Sequence, residues 1–489
     1  MLSRTSIANV VLVLGTVAGI GFVAAAGSGV TAPAPAPGQP TYDAATTGAS
    51  AHPLPHVLLA IAVVLLVART TGALFRRFGQ PPVLGEMLAG ILLGPSLFGH
   101  LFPDAAAFLL PHSIEPLLGI IAQIGVVLFM FLVGVELDTA LLHKRTRITL
   151  TVAHASIAVP FVCGGLLAVV LYPRTATADV PFVPFALFVA VALSVTAFPV
   201  LARILTDTGL LKSQLGVVAL ACAAANDVAA WCLLALVVGF AKATTGAALG
   251  TVALAALFTA TMLFVVRPLV ARWVQSKANG SSAGALTFVL PGILLSALAT
   301  ESIGIHAMFG AFLFGAIIPH DSRLAHEATT RIHDLVVVLF LPVFFAFTGL
   351  RTQIGLVSGY ENWLLCALVI AVATFGKVGG TYVAARLCDL SARDAAGLGA
   401  LMNTRGLMEL VVLNVGLDLR IVSPPLFAMM VMMALVTTLL TTPALHLLGL
   451  IRRNGSALVP AALDPTTPTG SPLVRDPVDA DRRAHRRSS

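Results

Sequence analysis

Long apolar runs, separated by short polar segments, fill the chain from Pro55 to Leu450. Each run is close to the roughly 20 residues that an α-helix needs to cross the hydrocarbon core of a bilayer. By this criterion the pattern predicts about 13 membrane-spanning helices. The expected fold class is therefore an all-α polytopic membrane protein.

The two ends of the chain differ from this pattern. An apolar stretch from Ile7 to Ala26 follows Arg4, and it fits either a signal peptide or an extra membrane helix. A segment rich in Ala, Pro, Gly and Thr then predicts a flexible linker. We expect three regions: an N-terminal signal or anchor helix with its linker at 1–54, a transmembrane domain at 55–453, and a disordered basic tail at 454–489.

Positive charge falls in every second loop and predicts the orientation. The basic segments are Arg76-Arg77, His143 to Arg147, Arg203 to Lys212, Arg267 to Lys277, Arg323 to Arg331, Arg386 to Arg393 and Arg452-Arg453. Cytoplasmic loops carry an excess of Lys and Arg. The pattern therefore predicts a multi-pass protein of the cell (plasma) membrane, in contact with the lipid bilayer, with a cytoplasmic C-terminus.

Composition narrows the possible partners. Only 10% of residues are charged and 58% are hydrophobic, against about 25% charged in soluble domains. The formal net charge is +7, but the basic residues lie in loops and the tail, so no nucleic-acid partner is expected. The five cysteines are scattered and predict neither a disulfide framework nor a zinc site. We expect no cofactor.

One carboxylate stands out in the apolar run from Leu215 to Ala241. Asp227 is its only charged residue, and it follows Asn226 directly. A carboxylate near the bilayer centre costs about 2.5–3.5 kcal/mol on insertion scales, and such residues usually mark ion or proton pathways. An aspartate merely satisfied by neighbouring helices is the structural alternative.

Two other predicted spans contain helix-breaking signals. The span at about Pro184 to Leu205 contains Ser194, Thr196 and Pro199, and Pro199 is expected to kink or break the helix. The span at about Ala396 to Leu417 contains Gly406 among the polar residues Arg405 and Glu409. The two spans cross in opposite directions, and such a pair is typical of an inverted-repeat transporter with broken crossing helices.

Further charges lie inside the later spans. Lys377 is a mid-span charge in the helix predicted from Trp363 to Leu387, where the alternative is snorkelling to the interface. Arg405 and Glu409 are four residues apart on one helix face and can form an ion pair. Lys377, Arg405 and Glu409 are therefore candidate supporting charges.

With these residues in view, the chain resembles the monovalent cation:proton antiporters of the Kef-type and plant cation/proton exchanger superfamily. The motifs that carry the resemblance are Gly79 to Pro95, Ser194 to Val200, Asn226 to Trp231, Ile303 to Phe312, Leu341 to Leu350, Gly376-Lys377 and Met402 to Glu409.

This resemblance implies a secondary active transporter that exchanges K+ or Na+ for H+, and not an enzyme. It also implies a homodimer, a role in pH homeostasis, and alternating access by a core that moves against a panel of helices. Asp227 would hold the cation or the proton in turn, and Asn226, Thr196 and Ser194 would complete the site. No metal is expected beyond the transported cation.

One position departs from the pattern of electrogenic relatives, which carry two adjacent aspartates. Here the first of the two is Asn226. One carboxylate is neutralised by one proton or one monovalent cation, so we expect electroneutral exchange. A cation channel or uniporter is the rival within transport. An intramembrane aspartyl hydrolase needs two carboxylates that share a proton, and this span offers one.

Overall fold

The computed structural model describes residues 53–136, 146–177, 180–211, 213–242, 247–276, 283–319 and 322–451. The predicted N-terminal signal or anchor helix, nearly all of the linker, and the predicted tail lie outside these residues. The described residues fold into α-helices joined by short turns, as the hydropathy pattern predicts.

The first half of the chain supplies α1 (Pro53–Arg77), α2 (Pro82–Leu93), α3 (Phe98–Leu101), α4 (Pro103–Leu109), α5 (Glu115–Glu136), α6 (Thr146–Thr175), α7 (Phe182–Ser194), α8 (Phe198–Asp207) and α9 (Gln214–Lys242). The second half supplies α10 (Ala247–Thr261), α11 (Arg267–Ser276), α12 (Ala283–Ile303), α13 (Ala307–Ile317), α14 (Arg323–Leu335), α15 (Leu341–Arg351), α16 (Gly359–Leu387), α17 (Ala392–Met402), α18 (Leu407–Asp418) and α19 (Pro424–Leu447). Single π-helical turns join α10 to α11 and α14 to α15.

Within the described residues, 11 helices are long and apolar enough to cross a membrane. The prediction of a polytopic helical membrane protein is therefore confirmed, whereas the count of thirteen is not. The short helix α13 and the pair α17–α18 fall outside the 11. Helix α13 has only 11 residues, and the α17–α18 pair is interrupted after Met402.

The helices pack in two groups. We call α1, α2, α5, α12, α13, α14 and α15 the panel, because their main contacts are with one another. In the chain, α10 and α11 lie between the core helix α9 and the panel helix α12. We call α6, α7, α8, α9, α16, α17, α18 and α19 the core, in which α6 packs against α7 and α16. The core contains both broken helices.

Close approach of backbones explains several glycines of the panel. A Cβ on Gly90 of α2 would lie 2.3 Å from the carbonyl oxygen of Phe345 on α15. A Cβ on Gly134 of α5 would lie 2.1 Å from the carbonyl oxygen of Phe312 on α13. Small residues of this kind let membrane helices pack at short distance. The panel is therefore a tightly packed frame beside the core.

Candidate functional site

Two interrupted helices cross in the middle of the core. The first break, Val195 to Ala197, separates α7 from α8, and the second, residues 403–406, separates α17 from α18. The amide of Ala197 donates to the carbonyl oxygen of Thr404 at 3.0 Å. The hydroxyl of Thr196 donates to the carbonyl oxygen of Met402 at 3.0 Å. Each break therefore satisfies part of the other's freed backbone, which allows unwound chain at membrane depth.

Sequence chemistry accounts for both breaks. Pro199 is the second residue of α8, where its missing amide hydrogen costs no helical hydrogen bond. Gly406 comes directly before α18, and a Cβ there would lie 2.7 Å from Cγ2 of Val200. The Val200 side chain would therefore collide with a larger residue at position 406.

The carboxyl end of α7 receives two cationic side chains. Arg405, from the second break, donates from Nη1 to the carbonyl oxygen of Ala192 at 2.9 Å and from Nη2 to that of Leu193 at 2.7 Å. Lys377, from α16, donates from Nζ to the carbonyl oxygen of Ser194. A helix end leaves its last carbonyls without partners and carries partial negative charge. Both cations are therefore placed where they stabilise the end of α7.

Arg405 is held in place on both its side chain and its backbone. Its Nη1 lies 2.7 Å from Oε2 of Glu409, so the pair expected from the four-residue spacing forms, and both side chains are fully buried. The hydroxyl of Thr438 on α19 accepts from the amide of Arg405 and donates to its carbonyl, each at 2.8 Å. Thr438 thus provides the hydrogen-bond partner for both the amide and the carbonyl of Arg405, a residue in the unwound segment.

Asp227 lies on α9 and is 2% exposed. Neither carboxylate oxygen has a hydrogen-bond partner among the described residues. The ammonium of Lys377 is close enough to attract it electrostatically. Buried carboxylates are normally paired or coordinate a cation. An unpartnered one is therefore a candidate position for a bound proton or cation.

Asn226 is fully buried and connects α9 to its neighbours. Its amide is assigned so that Nδ2 donates to the carbonyl oxygens of Ala153 at 3.0 Å and Cys222 at 3.2 Å. Its Oδ1 then accepts from the hydroxyl of Ser156 at 2.8 Å. In this orientation the atom that lies 3.4 Å from Oγ1 of Thr196 is Oδ1, and the hydrogen of that hydroxyl goes to Met402, so this approach is not a hydrogen bond. Asn226 therefore joins α6 to α9 beside the first break.

Among the described residues, four charged side chains are buried: Asp227, Lys377, Arg405 and Glu409. Their formal charges cancel when all four are ionised. Two further buried polar atoms in the second break, Oδ1 of Asn403 and Oγ1 of Thr404, have no hydrogen-bond partner in the part of the chain that the structure describes. The region thus contains oxygen atoms that can accept further bonds, and its four buried charged side chains carry no net charge when all are ionised.

The structure brings most of the predicted site residues into one connected region. Ser194, Thr196, Lys377, Arg405 and Glu409 are joined to the crossing by hydrogen bonds, and Pro199 and Gly406 lie directly beside the two breaks. Asn226 lies beside the first break, and Asp227 adjoins it on the same helix. The sequence analysis missed Ser156, Thr438, Asn403 and Thr404. Asn403 and Thr404 lie inside the motif from Met402 to Glu409. Polar residues in apolar spans were the available signal for Ser156 and Thr438.

Known proteins share both sequence and fold with this chain. The Na(+)/H(+) antiporter NhaS4 of Synechocystis sp. is 43% identical over 391 residues, covering 79% of this chain and 95% of that protein. Cation/H(+) antiporter 20 of Arabidopsis thaliana is 40% identical over 406 residues, which cover 80% of this chain and 48% of that protein. K(+)/H(+) antiporter 1 of Saccharomyces cerevisiae is 35% identical over 413 residues, which cover 81% of this chain and 47% of that protein. The chain thus spans about half the length of these plant and yeast relatives.

A solved structure, the sodium proton antiporter MjNhaP1 from Methanocaldococcus jannaschii at pH 8, matches 81% of this chain and all of its own. The TM-score is 0.53 at 15% identity, so the likeness concerns the fold alone.

Crossed broken helices of this kind are typical of membrane transporters built from inverted repeats. The family model for the sodium/hydrogen exchanger, transmembrane, matches residues 61–449, which is most of the chain. The chain belongs to this sodium/hydrogen exchanger family, which confirms the resemblance seen in its motifs.

Proposed function

We propose that the protein exchanges a monovalent cation, K+ or Na+, for H+ across the plasma membrane by alternating access, with Asp227 as the shared binding group. The observation that carries this proposal is the unpartnered, buried carboxylate of Asp227 in a region of balanced charge. The relatives named Na+/H+, K+/H+ and cation/H+ antiporters support the same activity.

Competition at one carboxylate accounts for coupling. Protonated Asp227 is neutral and has no charge to offer a metal ion. Ionised Asp227 is a desolvated anion, and a cation that enters offsets this cost. In discontinuous helices the freed carbonyls and half-helix ends coordinate such ions. Asn403 Oδ1 and Thr404 Oγ1, which lack partners, are our candidates for further cation ligands.

Lys377 has two candidate roles, to neutralise a helix end or to titrate during transport. Its bond to the carbonyl oxygen of Ser194, the last residue of α7, favours the first role. We propose that Lys377 and Arg405 hold α7 in place, and that neither exchanges protons during the cycle. Ser194 and Thr196 then act through their backbone and hydroxyl contacts at the first break.

Because Asn226 replaces the second acid, we propose one-for-one electroneutral exchange. Each loaded form of the core carries one added positive charge, whether a proton or a monovalent cation. We also propose a homodimer, a cytoplasmic C-terminus and a role in pH homeostasis, on the basis of the resemblance and the loop charges.

The test uses the full chain reconstituted in proteoliposomes that contain a pH-sensitive dye. Addition of KCl or NaCl to the outside should move protons outward in the wild type, and the two salts, titrated separately, report the ion preference. Asp227→Asn should abolish the response while the protein still inserts. Asp207→Asn is the matched control, because Asp207 is a partly exposed aspartate that pairs with Arg203. Wild-type exchange by Asp227→Asn would overturn the proposed site.

Current measurements separate this proposal from its rivals. Electroneutral exchange gives dye responses without transmembrane current and without dependence on an imposed potential. A channel or uniporter would pass current without moving protons. Current that accompanies proton exchange would retain antiport but end the one-for-one stoichiometry.

A further inference from the structure

Three polar bonds join the panel to the core at one end of the membrane. Arg351, the last residue of α15 in the panel, donates from Nη1 to Oδ1 of Asn414 at 3.0 Å and from Nη2 to Oδ1 of Asp418 at 2.6 Å. Both acceptors lie on α18 in the core. Asn414 in turn donates from Nδ2 to the hydroxyl of Thr348 on α15 at 2.8 Å.

The Arg351 side chain is fixed by its surroundings. It is 17% exposed, and its guanidinium lies 5.2 Å from the ring centre of Phe347. Cation–π stacking and partial burial hold the planar group in register with its two acceptors. A charge-assisted bond of this kind is stronger than a neutral one. The Asp418 side chain is 41% exposed, so water screens part of its attraction to Arg351, and a fully exposed pair would contribute only about 0–1 kcal/mol. The contact therefore relies also on the fixed guanidinium and on its second acceptor, Asn414.

Toward the opposite end of the membrane, Nε2 of Gln80, just before α2, donates to the carbonyl oxygen of Leu439 on α19 at 3.4 Å. This contact between panel and core is neutral and long. The loop charges predict that the Gln80 end is cytoplasmic and the Arg351 end is external. The charge-assisted contact of Arg351 with Asp418 therefore lies at the predicted external end.

A small cavity lies beside these bonds, between the panel and the core. Its volume is about 30 Å³, and its lining includes Gln123, His306, Phe344, Asn414 and Asp418. Space of this size suffices for a water molecule. Asn414 and Asp418, which bond to Arg351, thus also line a space between the two groups.

An aromatic contact lies between this region and Asp227. Trp231, one helical turn after Asp227 on α9, meets Phe309 of α13 edge to face, with ring centres 5.6 Å apart. Phe309 follows the cavity residue His306 by one turn on the panel side. The panel and core therefore also meet directly beside the proposed binding group.

We propose that Arg351, Asn414 and Asp418 form the external gate of this transporter, which is closed in this structure and must open before a cation from outside reaches Asp227. The proposal rests on the proposed function, since a gate presupposes transport. When the core moves, α18 carries Asn414 and Asp418 away from Arg351, and the cavity widens toward the external solution.

Accessibility of the cavity tests the gate without relying on transport. Ala122 lines the cavity and is 1% exposed. In intact cells that express the full chain with Ala122→Cys, a membrane-impermeant thiol reagent added outside should label the introduced thiol slowly. Labelling of the same chain without Ala122→Cys gives the background from native cysteines. Arg351→Gln should raise the labelling rate by about tenfold, as expected when a charge-assisted contact that favours the closed state is lost.

Three comparisons make the test specific. Asp418→Asn should raise the rate in the same direction, and the double variant Arg351→Gln/Asp418→Asn should label no faster than the faster single variant, because both remove one contact. Arg351→Lys keeps the charge but loses the forked geometry, so it should give an intermediate rate. Arg420→Gln removes an exposed arginine two residues beyond Asp418 and should leave the rate unchanged.

The gate is overturned if Arg351→Gln and Arg351→Lys both label at the rate of the Ala122→Cys parent, or if Arg420→Gln raises labelling as much as Arg351→Gln does. Acceleration only for reagent supplied from the cytoplasmic side would overturn the external placement. Failure of the proposed function is recognised separately, as retained exchange by Asp227→Asn in proteoliposomes.

Discussion

Nη2 of Arg405 donates to the carbonyl oxygen of Leu193 at 2.7 Å, across the crossing of the two broken helices. These residues are far apart in sequence, and each belongs to a different half of the core. The bond ties the loose end of α7 to the unwound segment before α18. Arg405 therefore holds the two breaks together by direct hydrogen bonds as well as by its charge.

Arg405→Met should destabilise the protein more than Glu409→Gln does. It leaves the buried Glu409 carboxylate without its cation, and breaking one side of a buried pair costs about 3–5 kcal/mol. Glu409→Gln keeps a hydrogen-bond acceptor for Arg405 and should cost less. The double variant Arg405→Met/Glu409→Leu should recover part of the loss, as measured by thermal unfolding in detergent. If the losses from Arg405→Met and Glu409→Leu, each measured alone, simply add in the double variant, a coupled pair is contradicted.

Thr438→Val should lower both stability and exchange rate, because it removes the hydroxyl that bonds the amide and the carbonyl of Arg405. Leaving two buried backbone groups unsatisfied costs about 1–3 kcal/mol for each. Thr438→Ser keeps the hydroxyl and should retain most of the exchange. Dye-based exchange in proteoliposomes and thermal unfolding both measure the contrast. Equal behaviour of the valine and serine variants would mean that only packing matters here.

Gly406→Ala should reduce exchange strongly, since the added Cβ would lie 2.7 Å from Cγ2 of Val200. Overpacking of this kind costs about 1–3 kcal/mol and shifts the backbone. Val200→Ala in the same chain should restore part of the activity by making room. Gly379→Ala is the matched control in the core, because a Cβ there meets nothing within 4 Å. A comparable loss in the Gly379 variant would show that the effect is not specific to the crossing.

Asn226→Asp should destabilise the protein, and more at pH 8 than at pH 5. The Asn226 amide donates to the carbonyl oxygens of Ala153 and Cys222. An ionised carboxylate cannot donate and would face both oxygens, whereas the protonated acid can still donate one bond. Stability is therefore retained at low pH and lost as the acid ionises. Melting temperatures across this pH range give the result.

The contrary outcome for Asn226→Asp is also informative. A rise in melting temperature at pH 8 would mean that Lys377 leaves the carbonyl oxygen of Ser194 to pair with the new carboxylate. Asn226→Ala is the control for loss of the amide, and its deficit should not depend on pH.

Much of the fold could be predicted from local signals. The length of the apolar runs predicted the spans, and Pro199 and Gly406 marked both breaks because their effects on a helix are local. Asp227 stood out because a lone charge in an apolar run is costly wherever the run packs. The count of thirteen spans was less secure, since α13 and the interrupted α17–α18 pair do not meet a length criterion.

Contacts between distant residues could not be predicted in the same way. Nothing in the sequence near Lys377 indicates that its partner is the carbonyl oxygen of Ser194, and nothing near Arg351 points to Asn414 or Asp418. Such pairs are set by how whole helices pack against each other, which the periodicity of a single helix does not encode. Ser156 and Thr438 were missed for the same reason, because their importance comes from the backbone groups that they meet.

The burial of Asp227 has a consequence for how tightly the proposed exchange is coupled. In that mechanism a vacant core would have to carry a bare, desolvated anion at Asp227 past the panel, which is energetically unfavourable. A bound proton or cation would remove that penalty, so movement of the loaded core is favoured over movement of the empty one. The same burial that leaves Asp227 without a partner among the described residues would thereby limit slippage and the dissipation of ion gradients.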